Sequence, residues 1–440
     1  TLLSAVIFGL TPALRAARPN LVDGIKERGS QTGGIRSNKL RSSLVILEVA
    51  LSLVLLIGAG LLLRSFSALQ EVKPGFRSDN VLTFSLPLPF VKYRTPAGRT
   101  DFYLRLKHRL EALPGVLSAG GITPLPLAGG DQYYIFSYGR PGVSEEDWNR
   151  NKADYRWTVP GYFEAMDIRL VAGRLLNEAD NQDGAQPVVL VDDKLAERTW
   201  PGEDPVDREL LVERFKLDDF TMERASFRVV GVVEHIRSES LADEGREAIY
   251  FPHNSFPYAP QSFTLSAAGN AAGLIDSIQS EVEALDPDVP VADLHLMDEY
   301  IFRAMAPIRF TLALITAFAA LALVLAFLGL YAVMAVSVQQ RTQEIGVRMA
   351  FGAQGKNVLR LVVGQAMTLA LSGVLIGVVA ALVATRLVSS LLFAVTATDP
   401  ATFVLISVLL LGVATAASYV PAKRAVRVDP LHALTGTRAR

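Results

Sequence analysis

Histidine and aspartate are the residue types in this sequence that could form a catalytic or metal-binding site. Four of the five histidines are spread along one acidic segment, at positions His108, His235, His253 and His295. None has HExxH or another metal-ligand spacing, so we expect no metal site. Asp192 and Asp193 form an adjacent carboxylate pair, although such pairs more often make a turn and cap a helix. Since no GxSxG nucleophile motif occurs either, we expect no catalytic residue, no cofactor and no enzyme activity.

The nearest match to a phosphate-binding loop lies at residues 352–357 and reads GAQGKN. A Walker A loop has the pattern GxxxxGK[ST], in which backbone amides surround the phosphates and a hydroxyl binds Mg²⁺. Here the glycine spacing differs and Asn357 takes the place of the hydroxyl. The sequence therefore predicts no ATP site, and any use of ATP would require a hydrolysing subunit on another chain.

Four long apolar segments predict transmembrane helices, at residues 44–63, 310–340, 361–385 and 400–422. About 20 apolar residues suffice to cross a bilayer core of roughly 30 Å. The first segment contains one charged residue, Glu48, and the other three contain none. A fifth apolar stretch, residues 2–10, is too short to span a bilayer and predicts the end of a helix whose beginning is missing. We therefore expect this sequence to be a fragment of a longer chain.

Charged residues are segregated along the chain, although the net charge is only −1. Three stretches next to the apolar segments contain 16 basic and 4 acidic residues, whereas residues 65–308 contain 24 basic and 38 acidic ones. By the positive-inside rule the basic stretches are cytoplasmic, which places the acidic segment in the periplasm, outside the inner membrane. Its acidic balance also argues against a nucleic-acid surface.

The acidic segment has the pattern of a mixed α/β domain. Alternating or β-branched residues predict strands at residues 81–86, 116–122, 187–191, 227–233, 262–266 and 289–294. Helices are predicted at residues 97–113, 194–200 and 271–285, and the first of them completes a strand–helix–strand unit. The fold class is therefore an α-helical membrane protein, with four full transmembrane helices and one partial one, that carries a large mixed α/β periplasmic domain.

One short sequence occurs twice, each time after an apolar segment. Residues 11–25 read TPALRAARPNLVDGI and residues 420–434 read VPAKRAVRVDPLHAL, and alignment of Pro12 with Pro421 gives five identities. We expect each proline to end or kink its helix. Any helix exit could be basic, but five identities in register favour duplication, which is a known way to build transporters. The missing part is then predicted to be an earlier copy of this module.

Two features within the predicted membrane helices remain open to more than one interpretation. An intramembrane carboxylate such as Glu48 is often functional, but near the cytoplasmic end it can serve structure by reaching headgroups or an adjacent helix. Gly373 and Gly377 form a GxxxG pair, which allows close helix packing or subunit contact, or else faces lipid.

The predicted cytoplasmic loop contains RTQEIGVRMAFGA, at residues 341–353. This pattern, R-x-x-E-I-G-V-R-x-A-x-G-A, is similar to the coupling helix of MacB/FtsX-type ABC transporter permeases. Further motifs resemble the MacB-type periplasmic core domain: PGYF (160–163), LVAGR (170–174), PVVLV (187–191), WPGEDP (200–205) and VVGVV (229–233). The resemblance covers nearly the whole chain, and the repeat suggests the duplicated permeases common in acidobacterial genomes. The family often has Gly where Asp207 stands and Gly-Asp where Glu234-His235 stands, so these departures concern local turn geometry.

The resemblance implies five regions. They are the end of a truncated transmembrane helix (1–10), a cytoplasmic linker (11–43), a transmembrane helix (44–64), a MacB-like periplasmic core domain (65–308) and an FtsX-like permease domain (309–440). The last region would contain three transmembrane helices and a cytoplasmic coupling loop at residues 337–360.

The resemblance also implies a non-catalytic permease subunit, which transmits ATP-driven motion to the periplasmic domain for export or extraction of a substrate. The coupling role falls on Arg341, Glu344, Ile345, Gly346, Arg348, Met349 and Gly352. Residues 342–350 can form a helix with Ile345 and Met349 on one face, able to dock into a partner, although a basic re-entry loop remains the alternative. The implied partners are a separate ABC ATPase subunit that binds ATP, a second permease copy or half, membrane lipid and a periplasmic partner.

Two other functions fit parts of this pattern. One is an FtsX-like regulator or sensor of extracytoplasmic partners, such as cell-wall hydrolases. The other is a membrane-anchored binding domain without an ATPase, which the coupling motif disfavours. The sequence does not name the substrate.

Overall fold

The computed structural model describes residues 32–129, 134–215, 221–341, 344, 347, 354–387 and 392–426. These residues form two compact units. The outer unit is Ala68–Arg309, and the membrane unit combines the described residues up to Ser67 with those from Phe310 onward. The partial helix predicted at residues 2–10, the first copy of the repeat and much of its second copy lie outside the described residues.

The described chain begins with one long helix, α1 (Thr32–Gln70). Its 39 residues extend for about 58 Å, which is far more than a bilayer core requires. The apolar segment predicted at residues 44–63 lies inside α1, and polar and charged residues continue the helix at both ends. The helix is longer than the predicted span because a change to polar residues ends an apolar segment without ending a helix.

The outer unit contains eleven strands and six α-helices among its described residues. The strands are β1 (Val81–Leu86), β2 (Val116–Thr123), β3 (Ile135–Gly139), β4 (Lys152–Val159), β5 (Leu170–Gly173), β6 (Val188–Asp192), β7 (Glu209–Phe215), β8 (Met222–Val233), β9 (Ala248–Pro252), β10 (Gln261–Ala267) and β11 (Ala292–Leu296). The helices are α2 (Pro96–Glu111), α3 (Glu145–Arg150), α4 (Tyr162–Ala165), α5 (Asp193–Thr199), α6 (Ile275–Leu285) and α7 (Met297–Ala304).

The strands pair in the order β11-β1-β10-β2-β4-β3-β7-β8-β6-β9, with β5 paired to β8. Because β9 also pairs with β4, the six strands β4, β3, β7, β8, β6 and β9 form a closed circuit. In the other half of the sheet, β10 lies between β1 and β2 and is antiparallel to both. The predicted strand–helix–strand unit β1–α2–β2 therefore exists, but a strand from much later in the chain separates its two strands.

Each half of the outer unit has its own apolar core. The first core lies under α2 and α6 and includes Phe84, Phe102, Tyr103, Phe263 and Ile278. The second is lined by strands of the closed circuit and includes Tyr155, Trp157, Val189, Trp200 and Phe251. Both cores combine aliphatic with aromatic side chains, and each aromatic ring buries a large apolar area.

Local sequence explains where α2 begins and which face it buries. Thr95 precedes the helix, and its hydroxyl accepts the backbone N–H of Gly98 at 3.2 Å, while Pro96 takes the first helical position. Phe102, Leu106 and Leu110 are fully buried at a spacing of four residues, so they lie on one face of α2. The helix therefore packs against the sheet along this face.

The membrane unit contains three further helices, α8 (Ala306–Gln340), α9 (Gly355–Leu387) and α10 (Pro400–Val426). Together with α1 they are the four helices in the described residues that are long and apolar enough to cross a membrane. This confirms the four full transmembrane helices of the predicted fold class. α10 does not end at Pro421 but continues to Val426. Membrane helices tolerate an interior proline because nearby groups satisfy the backbone carbonyl that it leaves unpaired.

Candidate site of ATPase coupling

The predicted coupling loop connects α8 to α9. Arg341 forms the turn directly after α8, and its backbone N–H donates to the carbonyl of Val338 at 3.1 Å. Glu344 and Val347 are helical and exposed. The other predicted coupling residues lie outside the described residues; they are Ile345, Gly346, Arg348, Met349 and Gly352. Their coupling role, and that of Arg341 and Glu344, stays a prediction.

The helix that follows the loop, α9, approaches α1 closely at two glycines. A Cβ on Gly373 would lie 2.7 Å from Cβ of Val49 and 3.0 Å from the carbonyl oxygen of Ile46. A Cβ on Gly377 would lie 2.8 Å from Cδ2 of Leu53. Side-chain carbons do not normally come this close, so the approach requires glycine at both positions. The GxxxG pair therefore packs two helices of the same chain against each other.

The helix that precedes the loop, α8, meets α1 at Glu48. The carboxylate of Glu48 occupies the space where a Cβ of Gly329 would lie, and Glu48 is half-buried. One turn further along α1, the hydroxyl of Ser52 donates to the carbonyl of Ala322 at 3.0 Å. These contacts support the structural interpretation of Glu48 as a packing group between α1 and α8. Sequence reasoning missed Gly329, because one glycine in an apolar helix gives no signal of what it faces.

α1 also contacts the segment that leads into α10. Arg64 forms an ion pair with Asp399, and the backbone N–H of Phe393 donates to the hydroxyl of Ser65 at 2.8 Å. Leu53 and Ile57 are fully buried within the membrane unit. α1 therefore contacts all three other helices of the membrane unit, while α9 and α10 also pack directly against each other.

Asp192 and His235 form a buried pair in the outer unit. Nδ1 of His235 lies 2.5 Å from Oδ2 of Asp192. Oδ2 also accepts the backbone N–H of Ala248, and Oδ1 of Asp192 accepts the backbone N–H of Leu195. Burial acts to lower the pKa of His235, but the hydrogen bond and negative charge of Asp192 outweigh it and raise that pKa. Burial raises the pKa of Asp192 as well, overcoming the effect of its hydrogen bonds. Because the pKa values of both His235 and Asp192 are raised, the pair tends to hold a proton. Asp192 caps α5, which confirms the predicted helix cap.

The remaining candidate histidines lie apart from this pair. His253 is fully buried, neither of its ring nitrogens has a hydrogen-bond partner among the described residues, and burial lowers its pKa to about 3. His108 and His295 lie at the surface beside Glu178 and Glu299, at 3.3 and 3.1 Å. Within the described ranges, no three His, Cys, Asp or Glu side chains are grouped so that they could hold a metal ion. The arrangement of these histidines is that of structural and surface residues.

The PGYF motif at residues 160–163 packs against the sheet through two glycines. Gly161 has φ of 98°, which a residue with a side chain rarely adopts, and its carbonyl accepts the hydroxyl of Ser118 at 3.1 Å. A Cβ on Gly120 of β2 would collide with the backbone nitrogen of Tyr162. The motif therefore sets how closely α4 packs on β2, and it has no catalytic geometry.

The structure also explains one departure from the family pattern. Asp207 has φ of 63°, in the left-handed region where glycine is favoured and aspartate is tolerated. Its backbone N–H still donates to the carbonyl of Val229 at 2.8 Å. The turn geometry at this position is therefore one for which glycine is the favoured residue.

Two protein-family models match the chain. The FtsX-like permease C-terminal model matches residues 316–430, and the MacB-like periplasmic core domain model matches residues 42–285. The second match alone covers more than half of the 440 residues. The two matched ranges do not overlap. The MacB-like match includes most of α1 and of the outer unit, and the FtsX-like match includes most of α8 and all of α9 and α10.

Several proteins named macrolide export ATP-binding/permease protein MacB are similar to this chain. The one from Marinobacter nauticus is 28% identical over 298 residues, which are 64% of this chain and 42% of that protein. The one from Aggregatibacter actinomycetemcomitans is 28% identical over 49% of this chain and 33% of its own length. The chain thus spans less than half of the length of these relatives. A solved structure, the periplasmic region of MacB from Actinobacillus actinomycetemcomitans, covers 54% of this chain and 98% of its own at 17% identity, with a TM-score of 0.34.

Proposed function

Because this chain belongs to the MacB/FtsX family of ABC transporter permeases, we propose that it transmits ATP-driven motion from a separate cytoplasmic ATPase to its outer unit. The observation that carries the proposal is the position of the coupling motif, between two helices that are each able to cross a membrane. These 440 residues contain no Walker A sequence, and the proposal assigns ATP binding to a separate subunit.

The packing of the membrane helices supports a mechanical role. A displacement of the loop would act on the start of α9, and α9 is held against α1 at Gly373 and Gly377. α1 is one continuous helix from Thr32 to Gln70, and its last turn reaches Ala68, the first residue of the outer unit. A helix that contacts α8 and α9 is well suited to carry motion along its axis, because the hydrogen bonds between its successive turns make it stiff.

The positive-inside rule assigns a side of the membrane to each region. The loop, with the basic stretches, would face the cytoplasm of the inner membrane, and the outer unit would lie in the periplasm. There it would act on a substrate during export or extraction. A second permease copy, or the second half of a duplicated permease, would complete the assembly.

A co-purification experiment tests the coupling role. Purification of the chain from its native membrane would first identify the ATPase, which is then co-expressed with wild type and variants. Ile345→Asp or Met349→Asp places an unpaired charge on the expected docking face, which should cost several kcal/mol if that face is buried. ATPase recovery should then fall by about two orders of magnitude or more. Insertion into the membrane should not change, since both positions lie outside the four apolar helices.

Two matched controls make the result specific. Val347→Asp introduces the same charge at an exposed position within the coupling motif, and Asn357→Asp introduces it in the first turn of α9. Both controls should retain the ATPase. Equal recovery with wild type and Ile345→Asp would rule out docking through this face.

A further inference from the structure

A groove in the membrane unit brings together basic residues from two different stretches of the sequence. It lies between the start of α9 and the end of α10 and has a volume of about 830 Å³. Its lining includes three exposed cations, Lys356, Arg360 and Lys423. Within the part of the chain that the structure describes, none of the three pairs with a carboxylate. Among the described residues, the groove therefore presents positive charge that no carboxylate compensates.

The lining of this groove changes from charged to apolar along α9. Lys356 and Arg360 lie in its first two turns, and Val363, Gly364 and Met367 follow on the same side at helical spacing. From Lys356 to Met367 the helix rises by roughly 16 Å. A ligand that fits this gradient has an anionic end and a long apolar end.

The end of α10 holds the charged part of the groove in place. Gly355 lets α10 approach, since a Cβ there would lie 2.5 Å from Cγ1 of Val426. Val426 also packs against the buried Val358 of α9. These contacts keep Lys423 of α10 beside Lys356 of α9, and the amino end of α9 adds a partial positive charge.

We propose that this groove binds an anionic phospholipid, with the phosphate of the headgroup among Lys356, Arg360 and Lys423 and an acyl chain along α9. Basic pockets between membrane helices are suited to anionic headgroups, and each surface cation strengthens such binding. A soluble anion would use the cations but would leave the apolar lining exposed. A neutral lipid would use the apolar lining but would leave three cations unpaired. The site does not depend on the proposed ATPase coupling.

Native mass spectrometry of the full chain in detergent, titrated with phosphatidylglycerol, measures this binding. The groove variant carries Lys356→Gln and Lys423→Gln, and the control carries Lys39→Gln and Arg41→Gln, which removes two exposed cations from α1. We expect about 30-fold weaker binding to the groove variant, the loss that two surface cations predict, and less than about threefold change in the control. Equal losses in the two variants would overturn the proposal.

A second pair of variants tests the apolar part of the groove. A Cβ on Gly364 or on Gly412 meets no atom within 4 Å, so either glycine can be replaced without a clash at Cβ, and only Gly364 lines the groove. Gly364→Trp should fill the space of the acyl chain and weaken phosphatidylglycerol binding about tenfold, while Gly412→Trp should leave it unchanged. Unchanged binding to Gly364→Trp would contradict an acyl chain in the groove.

Two further ligands separate a lipid from other occupants of the groove. Phosphatidylcholine should bind wild type at least tenfold more weakly than phosphatidylglycerol, and equal affinity would overturn the role of the cations. Millimolar inorganic phosphate should not displace phosphatidylglycerol, and displacement would show a site for soluble anions instead.

Discussion

In the outer unit, buried charged side chains pair with oppositely charged side chains. In the membrane unit, the closest contacts between helices are made at glycines. Arg174 donates two hydrogen bonds to the carboxylate of Asp180, at 2.6 and 2.8 Å, and Arg246 donates to the buried Asp154 at 3.1 Å. In the membrane unit, by contrast, the contact of α9 with α1 rests on Gly373 and Gly377. Burial of apolar surface away from water drives the folding of the outer unit, so its polar pairs need not supply the main stabilisation.

The membrane unit cannot rely on the same forces. Lipid tails are as apolar as leucine, so helices associate through close packing and a few internal hydrogen bonds. The one acidic group inside α1, Glu48, fits because Gly329 on α8 has no side chain. Glycines therefore have different roles in the two units. In the outer unit they leave room for nearby backbone, and in the membrane unit they allow whole helices to approach each other.

The largest effect is expected for a glycine that faces backbone in the outer unit. Gly120→Ala places a Cβ against the backbone nitrogen of Tyr162, which cannot move without displacing α4. We expect a loss of about 3 kcal/mol in the free energy of unfolding. All three tryptophans lie in the outer unit, so denaturation followed by tryptophan emission measures it. Gly269→Ala, whose Cβ would meet no atom within 4 Å, is the control and should change stability by less than about 0.5 kcal/mol.

A smaller loss is expected for a glycine that faces side chains in the membrane unit. Gly373→Leu pushes against Val49 on α1, but two helices can separate slightly, so we expect a cost of about 1–3 kcal/mol. The melting temperature of the full chain in detergent, measured by size-exclusion chromatography after heating, should fall by several degrees. Gly412→Leu should leave it unchanged because nothing lies within 4 Å of a Cβ there. If Gly412→Leu were as harmful as Gly373→Leu, close packing would not be the role of Gly373.

The smallest effect on the free energy of unfolding at neutral pH is expected from the titration of His253, and this effect should grow as the pH falls. The unfolded chain takes up a proton near pH 6.5, whereas burial keeps the pKa of the folded His253 at about 3. Between these values only the unfolded state is protonated, so stability falls as the pH falls, by about 2 kcal/mol at pH 5. His253→Phe should remove this part of the pH dependence of the outer unit, and His108→Phe at the surface should not. An unchanged pH profile in His253→Phe would show that His253 is not buried in its neutral form.

The membrane helices could be predicted from the sequence because a long charge-free segment has few alternatives to a helix in lipid. The sequence left Gly373 and Gly377 open between a helix contact and a lipid-facing position, because their partners on α1 lie more than 300 residues earlier. Glu48 was recognised as unusual, yet its fit against Gly329 depends on the angle between two helices. Local pattern therefore identified the elements, and the pairing between them required the fold.

In the outer unit, the predictions succeeded where local pattern decides the structure. β1 was predicted with its observed bounds, because its residues alternate and are bounded by turn residues. β3, β4, β5, β7 and β9 were missed. The place of β9, for example, depends on pairing with β4 and β6, which lie much earlier in the chain. The pairing of Asp192 with His235 was also missed, since 43 residues separate them and the motif at Asp192 predicted only a cap.

The most direct test of the proposed topology measures on which side of the membrane the coupling loop and the outer unit lie. The chain contains no cysteine, so a single one can be introduced without other replacements. Gln182 of the outer unit and Gln354, the loop residue directly before α9, are both exposed. In right-side-out inner-membrane vesicles, an impermeant maleimide should label Gln182→Cys and should not label Gln354→Cys until the membrane is opened. Labelling of Gln354→Cys but not Gln182→Cys in intact vesicles would contradict the account.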